Sequence, residues 1–422
     1  MRIPGNLSSD GYLLFSARIV RLFAYGFLSV VLVLYLAEVG LGEVQIGLLL
    51  TLTLIGDTVI SLWITTHADR IGRRRMLAVG AALMVFAGIL FALTQNFNLL
   101  LLAATIGVIS PSGNEVGPFL SIEQAGLTQL IPGERRTQVF AWYNLVGSFA
   151  TALGALCGGG LAGVLSKASL TELDSYRAVV IGYSALGIIL QVIFARLSAR
   201  IEVEDPNPEA MKAATVGSGA FLGLSRSREV VLRLAALFSL DAFAGGFVIQ
   251  SMVAYWFHKR FGVEPAALGG IFFGANILAG ISALSAAWLA RRIGLIRTMV
   301  FTHIPSNVLL ILVPLMPSLP LAITVLLLRF SISQMDVPTR QSYTMAVVDP
   351  LERSAAAGVT GTARTIGASL APVFTGPLLA NMALMGMPFI ISGGLKIIYD
   401  VSLYRRFRAL RPPEERLQES NE

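Results

Sequence analysis

The sequence has few of the residues that build disulfides, metal sites and soluble surfaces. Its one cysteine, Cys157, excludes a disulfide within the chain and a cysteine metal cluster. The three histidines, His67, His258 and His303, lie far apart in the sequence, which argues against a metal site. Charged residues make up only 14% of the chain, against about 25% in a typical soluble domain. We therefore expect neither a soluble protein nor one that holds a metal or another cofactor.

Long hydrophobic runs are what the sequence has instead. Hydrophobic residues make up 55% of the chain, and many runs reach the ~20 residues that a bilayer-spanning helix needs. A membrane β-barrel is excluded because its strands alternate polar and apolar residues over ~10 positions, whereas these runs are continuous. The net charge of +7 does not indicate nucleic-acid binding, because the basic residues lie in short loops between the runs. The sequence predicts an all-α polytopic membrane protein whose partner is the lipid bilayer.

Twelve of the runs are candidate transmembrane helices. They lie at 12–38, 44–66, 76–95, 98–128, 139–165, 177–196, 230–257, 266–290, 298–317, 319–347, 355–380 and 384–404. An even number places both termini on one side of the membrane. Of the 32 Lys and Arg residues, 21 fall on that side and four on the other, which predicts cytoplasmic termini. The first residues lack the pattern of a cleaved signal peptide, so we expect the N-terminus to be retained.

The longest internal connection divides the predicted helices six and six. It is polar and contains Pro, Gly and charged residues, as expected of a linker. The sequence therefore predicts four parts: an N-terminal six-helix bundle at 1–196, a cytoplasmic linker at 197–229, a C-terminal six-helix bundle at 230–404 and a cytoplasmic tail at 405–422.

Two short motifs occur twice, in the same order. “ADRIGRRRM” at 68–76 follows the second predicted helix, and “ARRIGLIRT” at 290–298 follows the eighth. “PGER” at 132–135 follows the fourth helix, and “PLER” at 350–353 follows the tenth. The offset between the two copies is nearly the same for both motifs, which indicates a duplicated six-helix unit. Parallel repeats of this kind build transporters whose binding site lies between the halves.

Six plus six helices, with Asp-Arg-x-Gly-Arg-Arg after the second, resemble the major facilitator superfamily over nearly the whole chain. The residues that match the superfamily's loop signature are Asp69, Arg70, Gly72, Arg73 and Arg74. Thr65 stands where the signature has its leading glycine, and Arg291 stands at the aspartate position of the second copy. The resemblance implies two bundles around a shared cavity, and nothing in the sequence demands more than a monomer.

The charged hairpin at 67–76 is predicted to form a cytoplasmic gate. Gly72 allows a tight turn between two helices. By resemblance, Asp69 faces the positive N-terminal end of the eleventh helix. We expect Arg73 to pair with an acid at the end of the fourth helix, and choose Glu123. The predicted gate residues are Asp69, Arg70, Gly72, Arg73, Arg74 and Glu123. The alternative is that the hairpin only anchors the topology.

Ionisable residues inside predicted helices are costly to bury, so each is a candidate functional residue. Glu115 lies in “SPSGNEVGPF”, where prolines and glycines are expected to interrupt the helix and line a cavity. A poorly solvated carboxylate suits the uptake and release of protons. We predict that Glu115 or Asp241, with Asp57 as a third candidate, carries a coupling proton. The alternative is that these acids only neutralise buried arginines.

In the superfamily, helices 1, 4, 7 and 10 line the central cavity, which implies a set of substrate-contacting residues. The candidates are Arg21, Tyr25, Asn114, Phe243, Arg329 and Asp336. For the aromatic members, ordinary packing is the alternative.

Other features are given a structural interpretation. Asp336 and Arg340 are four residues apart, as are Lys396 and Asp400, so each pair is predicted to meet on one helix face. The glycine-rich “GSFATALGALCGGGLAG” of the fifth helix is expected to pack closely against another helix. This packing needs no drug antiport to explain it.

Together these features predict a secondary active transporter that works by alternating access. No Gly-x-x-x-x-Gly-Lys-Ser/Thr loop occurs, so ATP is not the expected drive. We expect a multi-pass protein of the cell membrane, plasma or inner, that exchanges H⁺ for an exported amphipathic or drug-like molecule. Uptake of a small organic solute is the main alternative. An enzyme is not expected, because “GYSAL” at 182–186 lacks the second glycine of a serine-hydrolase motif. A sensor or scaffold would need no buried carboxylates.

Overall fold

The structure is a computed structural model that describes residues 7–115, 117–131, 136–202, 224, 226–349, 352–408 and 410. The motif “PGER”, the first half of “PLER”, and most of the predicted linker and of the predicted tail lie outside these residues. The described part of the chain is almost wholly helical and contains seventeen α-helices. Within it, nine helical stretches are long and apolar enough to cross a membrane. The prediction of an all-α polytopic membrane protein is confirmed.

In chain order the helices are α1 (Ser9–Ser29), α2 (Leu32–Glu38), α3 (Glu43–Ile71), α4 (Arg73–Leu93), α5 (Phe97–Ile106), α6 (Phe119–Leu130), α7 (Arg136–Lys167), α8 (Glu172–Ala195), α9 (Arg228–Gly246), α10 (Gln250–Phe261), α11 (Pro265–Ile293), α12 (Leu295–Leu312), α13 (Leu319–Ile332), α14 (Asp336–Val347), α15 (Arg353–Leu370), α16 (Pro372–Ala380) and α17 (Met387–Phe407). Short 3₁₀-helices lie at Ala199–Ile201 and Val313–Leu315. The predicted spans 4, 11 and 12 correspond to α5 with α6, α15 with α16, and α17, which are shorter or less apolar than the other nine.

Several predicted spans are each two helices separated by a break. The breaks lie between α1 and α2, α5 and α6, α9 and α10, α13 and α14, and α15 and α16. The longest, residues 107–118, contains the prolines and glycines that were expected to interrupt the fourth span. Gly113 and Gly117 adopt φ values of 70° and 80° there, which other residues rarely reach. The expected interruption of that span is confirmed.

The hairpin turn is duplicated in structure as well as in sequence. Gly72 has a φ of 112° between α3 and α4, and Gly294 has a φ of 87° between α11 and α12. A helix cannot continue through such a residue, and only glycine adopts it without strain. The predicted tight turn at Gly72 is confirmed.

The helices form two compact units. The first contains residues 1–211 and 249–276, and the second contains residues 212–248 and 277–422. Within the first unit, α1 packs against α7 and α4 packs against α8. Within the second, α9 packs against α15 and α12 packs against α17.

Glycine sets the closeness of the main helix contacts. A β-carbon at Gly154 or Gly158 on α7 would overlap the backbone carbonyl of Phe23 or Phe27 on α1. In the second unit, Gly246 on α9 meets the backbone of α15 in the same way. Close approach of helices through glycine is favourable because it increases backbone packing. The expected packing role of the glycine-rich fifth span is confirmed.

Candidate functional site

The first unit contains a buried network of ion pairs, which we call the first network: Arg18, Arg21, Glu115, Glu123 and Tyr143. Arg21 donates through both terminal nitrogens to Glu123, at 2.5 and 2.8 Å, and through Nε to Glu115 at 2.9 Å. Arg18 donates to the other oxygen of Glu115 at 2.8 Å. The Tyr143 hydroxyl also donates to Glu123. Arg21 and Glu123 are wholly buried, so the bidentate geometry is what makes their burial tolerable.

The broken fourth span places Glu115 in this network. Glu115 lies in the non-helical segment between α5 and α6 and is partly exposed. Within the same segment the hydroxyl of Ser110 donates to the carbonyl oxygen of Asn114 at 2.7 Å, while the Asn114 residue itself is exposed. Irregular backbone inside a membrane protein is tolerated where it is buried in protein or lines a water-filled cavity.

Asp57 is the one proposed coupling acid without an ion pair among the described residues. It lies on α3 and is 7% exposed, and its Oδ1 has no hydrogen-bond partner in the described part of the chain. Its polar neighbours are the Ser61 hydroxyl and the backbone amide of Gly117. The preceding residue, Gly56, packs against the Thr105 carbonyl, which brings α3 close to α5.

The hairpin at 67–76 differs from the prediction in one pairing. Arg73 donates through Nε to Asp69 at 2.7 Å and through a terminal nitrogen to Gln129 at 2.7 Å. The predicted Arg73–Glu123 pair is wrong, because Glu123 faces α1 and is fully engaged by Arg21. Arg70 is exposed on the hairpin.

A carboxylate that sequence reasoning missed completes the hairpin. Glu202 accepts hydrogen bonds from the backbone amides of Arg73 and Arg74, at 2.6 and 3.2 Å. The first amides of a helix have no hydrogen-bond partner within the helix itself, and a negative charge is favourable at this end. Glu202 supplies both the partner and the charge for α4. The Arg74 side chain also donates to the carbonyl of Ala195 at 2.6 Å. The sequence feature that could have indicated such a partner is that α4 begins with three arginines and contains no acidic residue.

The second unit contains a larger buried cluster, which we call the second network: Asp241, His303, Asp336, Arg340, Lys396 and Asp400. Asp241 accepts from Lys396 at 2.6 Å and from Arg340 at 2.9 Å. The predicted pair of Asp336 and Arg340 is confirmed, with a distance of 3.1 Å. All six residues are buried.

The predicted Lys396–Asp400 pair is wrong. Lys396 reaches across to Asp241 on α9, while Asp400 turns toward α12. There the Nδ1 of His303 lies 2.9 Å from Asp400 Oδ1, and Asn307 donates to Asp400 Oδ2 at 3.0 Å. Residues four apart on a helix can meet, but better partners on neighbouring helices compete for the same charges. Sequence spacing cannot show those partners.

The remaining candidates for the cavity lie in both units. Tyr25 is fully buried, and Phe243 packs edge-on against Phe247 with ring centroids 5.2 Å apart. The Arg329 guanidinium lies over the ring of Phe330, 4.9 Å from its centroid, and its Nε has no hydrogen-bond partner among the described residues. The prediction that these side chains share one cavity stays a prediction.

A further ion pair lies at the end of α3 opposite the hairpin; we call it the Glu43 clamp (Glu43, Tyr255, Lys259). The Tyr255 hydroxyl donates to Glu43 at 3.0 Å, and the Lys259 ammonium pairs with the same carboxylate. A cavity of about 350 Å³ lies beside it, lined by Leu34, Ala37, Glu38, Tyr176, Tyr255, His258 and Lys259.

Two hydrogen bonds reinforce the clamp within the first unit. Gln250 on α10 donates to the Ser29 hydroxyl at 2.8 Å, and the Ser251 amide donates to the carbonyl of Pro111 at 3.1 Å. Sequence analysis did not single out Ser29, Gln250 or Ser251. In the sequence, Lys259 was only one of the basic residues used to predict the topology. Its partner, Glu43, lies in the other half of the chain, so the ion pair could not be predicted.

Comparison with known proteins decides the family. The chain matches the Major Facilitator Superfamily over residues 14–372. It is 34% identical over 419 residues to an uncharacterised membrane protein of Saccharomyces cerevisiae, covering 94% of this chain and 93% of that protein. The chain belongs to the major facilitator superfamily. Superfamily membership makes it a multi-pass secondary transporter of a small molecule and not an enzyme, as predicted.

Other similar proteins cover less sequence or show only the fold. The quinolone resistance protein NorA of Staphylococcus aureus is 26% identical over 139 residues, 33% of this chain and 34% of that protein. A bacterial homologue of the human lysosomal transporter Spinster, in an inward-facing and occupied conformation, superimposes with a TM-score of 0.72 at 16% identity. It covers 94% of this chain and 96% of its own. A D-xylose–proton symporter gives a TM-score of 0.71 at 14% identity, covering 93% and 97%.

Proposed function

We propose that this superfamily member is a proton-coupled exporter of small amphipathic molecules in the cell membrane. It acts as a monomer with twelve spanning helices in two bundles of six and with both termini in the cytoplasm. It opens alternately toward each side, and proton entry drives the exit of the substrate. The observation that carries the proton coupling is Asp57, a buried carboxylate without an ion pair in the described part of the chain.

The twelve-helix arrangement is supported by where the polar residues fall. Nine helical stretches meet the requirements of a membrane span outright. Of the three other predicted spans, one carries the long break of 107–118, one carries Arg364, and one carries both Lys396 and Asp400. Breaks and ionisable groups inside a bundle lower hydropathy without removing the helix from the membrane, since they face protein or a cavity.

The broken helices support a central binding region. Four of the five breaks fall in spans 1, 4, 7 and 10, the spans that line the cavity in this superfamily. Discontinuous helices in transporters expose backbone donors and acceptors to the substrate. Arg21, Tyr25, Asn114, Phe243, Arg329 and Asp336 are the side chains that we propose contact it.

Asp57 ranks above the other two candidates for the coupling proton. Glu115 is held by two arginines and Asp241 by Arg340 and Lys396, so each is already neutralised as an anion. A carboxylate without a cation at membrane depth is far more costly to keep charged. Asp57 therefore gains most from binding a proton and requires the least rearrangement to do so.

Alternating access requires one closure at each end of the bundles. The hairpin and the Glu43 clamp lie at opposite ends of α3, whose 29 residues span about 43 Å. The clamp joins α3 to α10, which belong to different predicted bundles. We propose that the hairpin, with Asp69 and Arg73, closes the cytoplasmic end, and that the clamp closes the other end when the hairpin is open.

Export is favoured over uptake by the partial likeness to the quinolone resistance protein. Uptake of a small organic solute is the second candidate. The fold likeness to a D-xylose–proton symporter is compatible with it but reaches only 14% identity.

The proposal is tested in proteoliposomes with an imposed pH gradient, using ethidium and norfloxacin as probes and a lumenal pH dye as the second readout. The native protein should accumulate a probe and move protons in the opposite direction. Asp57→Asn should lose proton movement and gradient-driven accumulation while it still exchanges probe for probe. Asp174→Asn, at a partly exposed carboxylate near the start of α8, is the matched control. Proton-coupled transport that persists unchanged in Asp57→Asn would contradict the assignment.

A further inference from the structure

His303 has an environment in the second network that none of the predicted roles explains. It lies on α12, is 5% exposed, and has charged or titratable groups around it on several neighbouring helices. They are Asp241 on α9, Asp336 and Arg340 on α14, and Lys396, Tyr399 and Asp400 on α17, with Arg364 on α15 near Asp241 and Arg329 on α13 near Asp336. Asn307 on α12 itself contributes a neutral amide.

The two ring nitrogens of His303 face two different helices. Nδ1 lies 2.9 Å from Asp400 Oδ1, so it carries a hydrogen in either charge state and donates it to α17. Nε2 lies 4.0 Å from Asp241 Oδ1 on α9. With a proton on Nε2, this is an attraction between an imidazolium and a carboxylate. Without it, a nitrogen lone pair faces a carboxylate oxygen.

The surrounding charges allow both states. The network contains three carboxylates, Asp241, Asp336 and Asp400, and two permanent cations, Arg340 and Lys396. A protonated His303 brings the net charge of these six side chains to zero. Arg364 on α15 adds positive charge near Asp241 in both states, so the net charge of the six side chains together with Arg364 stays within one unit of zero with or without the proton. The contact between α12 and α17 survives in both states, because Nδ1–H and Asn307 still donate to Asp400.

We propose that His303 is a proton-carrying residue of the second unit and that its Nε2 proton links α12 to α9. Protonation forms an N–H bond at Nε2 and attracts Asp241; deprotonation returns that proton to water and releases α9 from α12, while no other covalent bond changes. The link to transport depends on the proposed function, since α9 carries a candidate coupling acid and the break before α10. The protonation itself does not.

The sequence makes the protonation directly measurable, because the chain has only three histidines. The double variant His67→Gln, His258→Gln leaves His303 as the only one, so ring-¹⁵N histidine labelling of the full chain in nanodiscs gives one imidazole. We expect its Nε2 resonance to move from the imidazolium to the imidazole position between roughly pH 5 and 9, while Nδ1 keeps its proton. Asp400→Asn should lower the midpoint, and Asp174→Asn should not. A ring that stays in one form over that range overturns the proposal.

Transport separates this inference from the proposed function. His303→Gln should flatten the pH dependence of ethidium transport. If the glutamine variant is unstable, His303→Asn, which retains an amide donor toward Asp400, is measured in its place. Unchanged pH dependence in a folded His303 variant overturns the role of His303 in coupling. Absence of proton-driven transport by the native protein overturns the proposed function instead, and the NMR titration then decides the proton site alone.

Discussion

Arg21 and Asp241 occupy matching places in the two sequence repeats and carry opposite charges. They lie on α1 and α9, and their separation along the chain is close to the offset between the two copies of the hairpin motif. Arg21 donates to Glu123 on α6, and Asp241 accepts from Arg340 on α14. Glu123 and Arg340 are separated by nearly the same offset. The duplication has therefore kept a buried ion pair between equivalent helices and reversed its sign, so each half has its own fixed pair around which other groups can change.

Glu123→Gln should destabilise the protein strongly. The substitution leaves the wholly buried Arg21 with one carboxylate instead of two, and removal of one partner from a buried pair costs about 3–5 kcal/mol. Thermal unfolding in detergent, followed by the loss of the helical circular dichroism signal, measures the effect. Glu229→Gln removes the exposed partner of Arg233 and should cost less than about 1 kcal/mol. Equal shifts for both variants would show that the first network is not a stabilising unit.

Asp69→Asn should leave the protein folded and slow transport. Asp69 is half-exposed and contacts Arg73, so stability changes little, but the gate loses its carboxylate. We expect a rate about tenfold lower, which corresponds to about 1.4 kcal/mol in the barrier. The second copy of the hairpin supplies the control: Arg291→Gln, at the position equivalent to Asp69, should transport at nearly the native rate. Native rates in Asp69→Asn vesicles would remove the gating role.

Glu43→Gln should loosen the clamp and open the cavity beside it. The neutral amide keeps the size of the side chain but loses the charge that holds Lys259. In a Cys157→Ser background, Ala37→Cys places a thiol in that cavity. Its reaction with a bulky charged maleimide should become several-fold faster after Glu43→Gln. Glu172→Gln, an exposed change at the start of α8, should leave the rate unaltered; a rate that responds equally to both changes would argue against a clamp.

The positions of the helices and the duplication could be predicted from the sequence, because hydrophobic runs and glycine turns determine the backbone conformation of their own segment. Gly72 is an example: a glycine between two apolar runs and followed by arginines determines the end of α3 and the start of α4. The break at 107–118 was likewise visible from Pro111 and Gly113. These features depend on backbone geometry and need no knowledge of the distant chain.

Partner choice among the buried charges could not be predicted in the same way. Lys396 and Asp400 have the spacing of a pair, yet each bonds to another helix, and Glu123 binds Arg21 instead of Arg73. Spacing along one helix limits which side chains can meet but does not rank them against partners on neighbouring helices. The proton-carrying role that we propose for His303 was missed for the same reason, because it depends wholly on the groups that surround this residue.

Gly158→Val should prevent correct folding, and Gly160→Val should not. The two glycines lie on the same helix, two residues apart. A β-carbon at position 158 would overlap the backbone carbonyl of Phe27, which cannot move aside as a side chain can, whereas nothing lies within 4 Å of one at position 160. Overpacking against a side chain typically costs ~1–3 kcal/mol, and a clash with backbone should exceed this. Yield of monodisperse protein on size exclusion and the midpoint of thermal unfolding measure both variants. Because valine has the same helix propensity at either site, a matched loss in the two variants would mean that the contact between α1 and α7 does not depend on glycine.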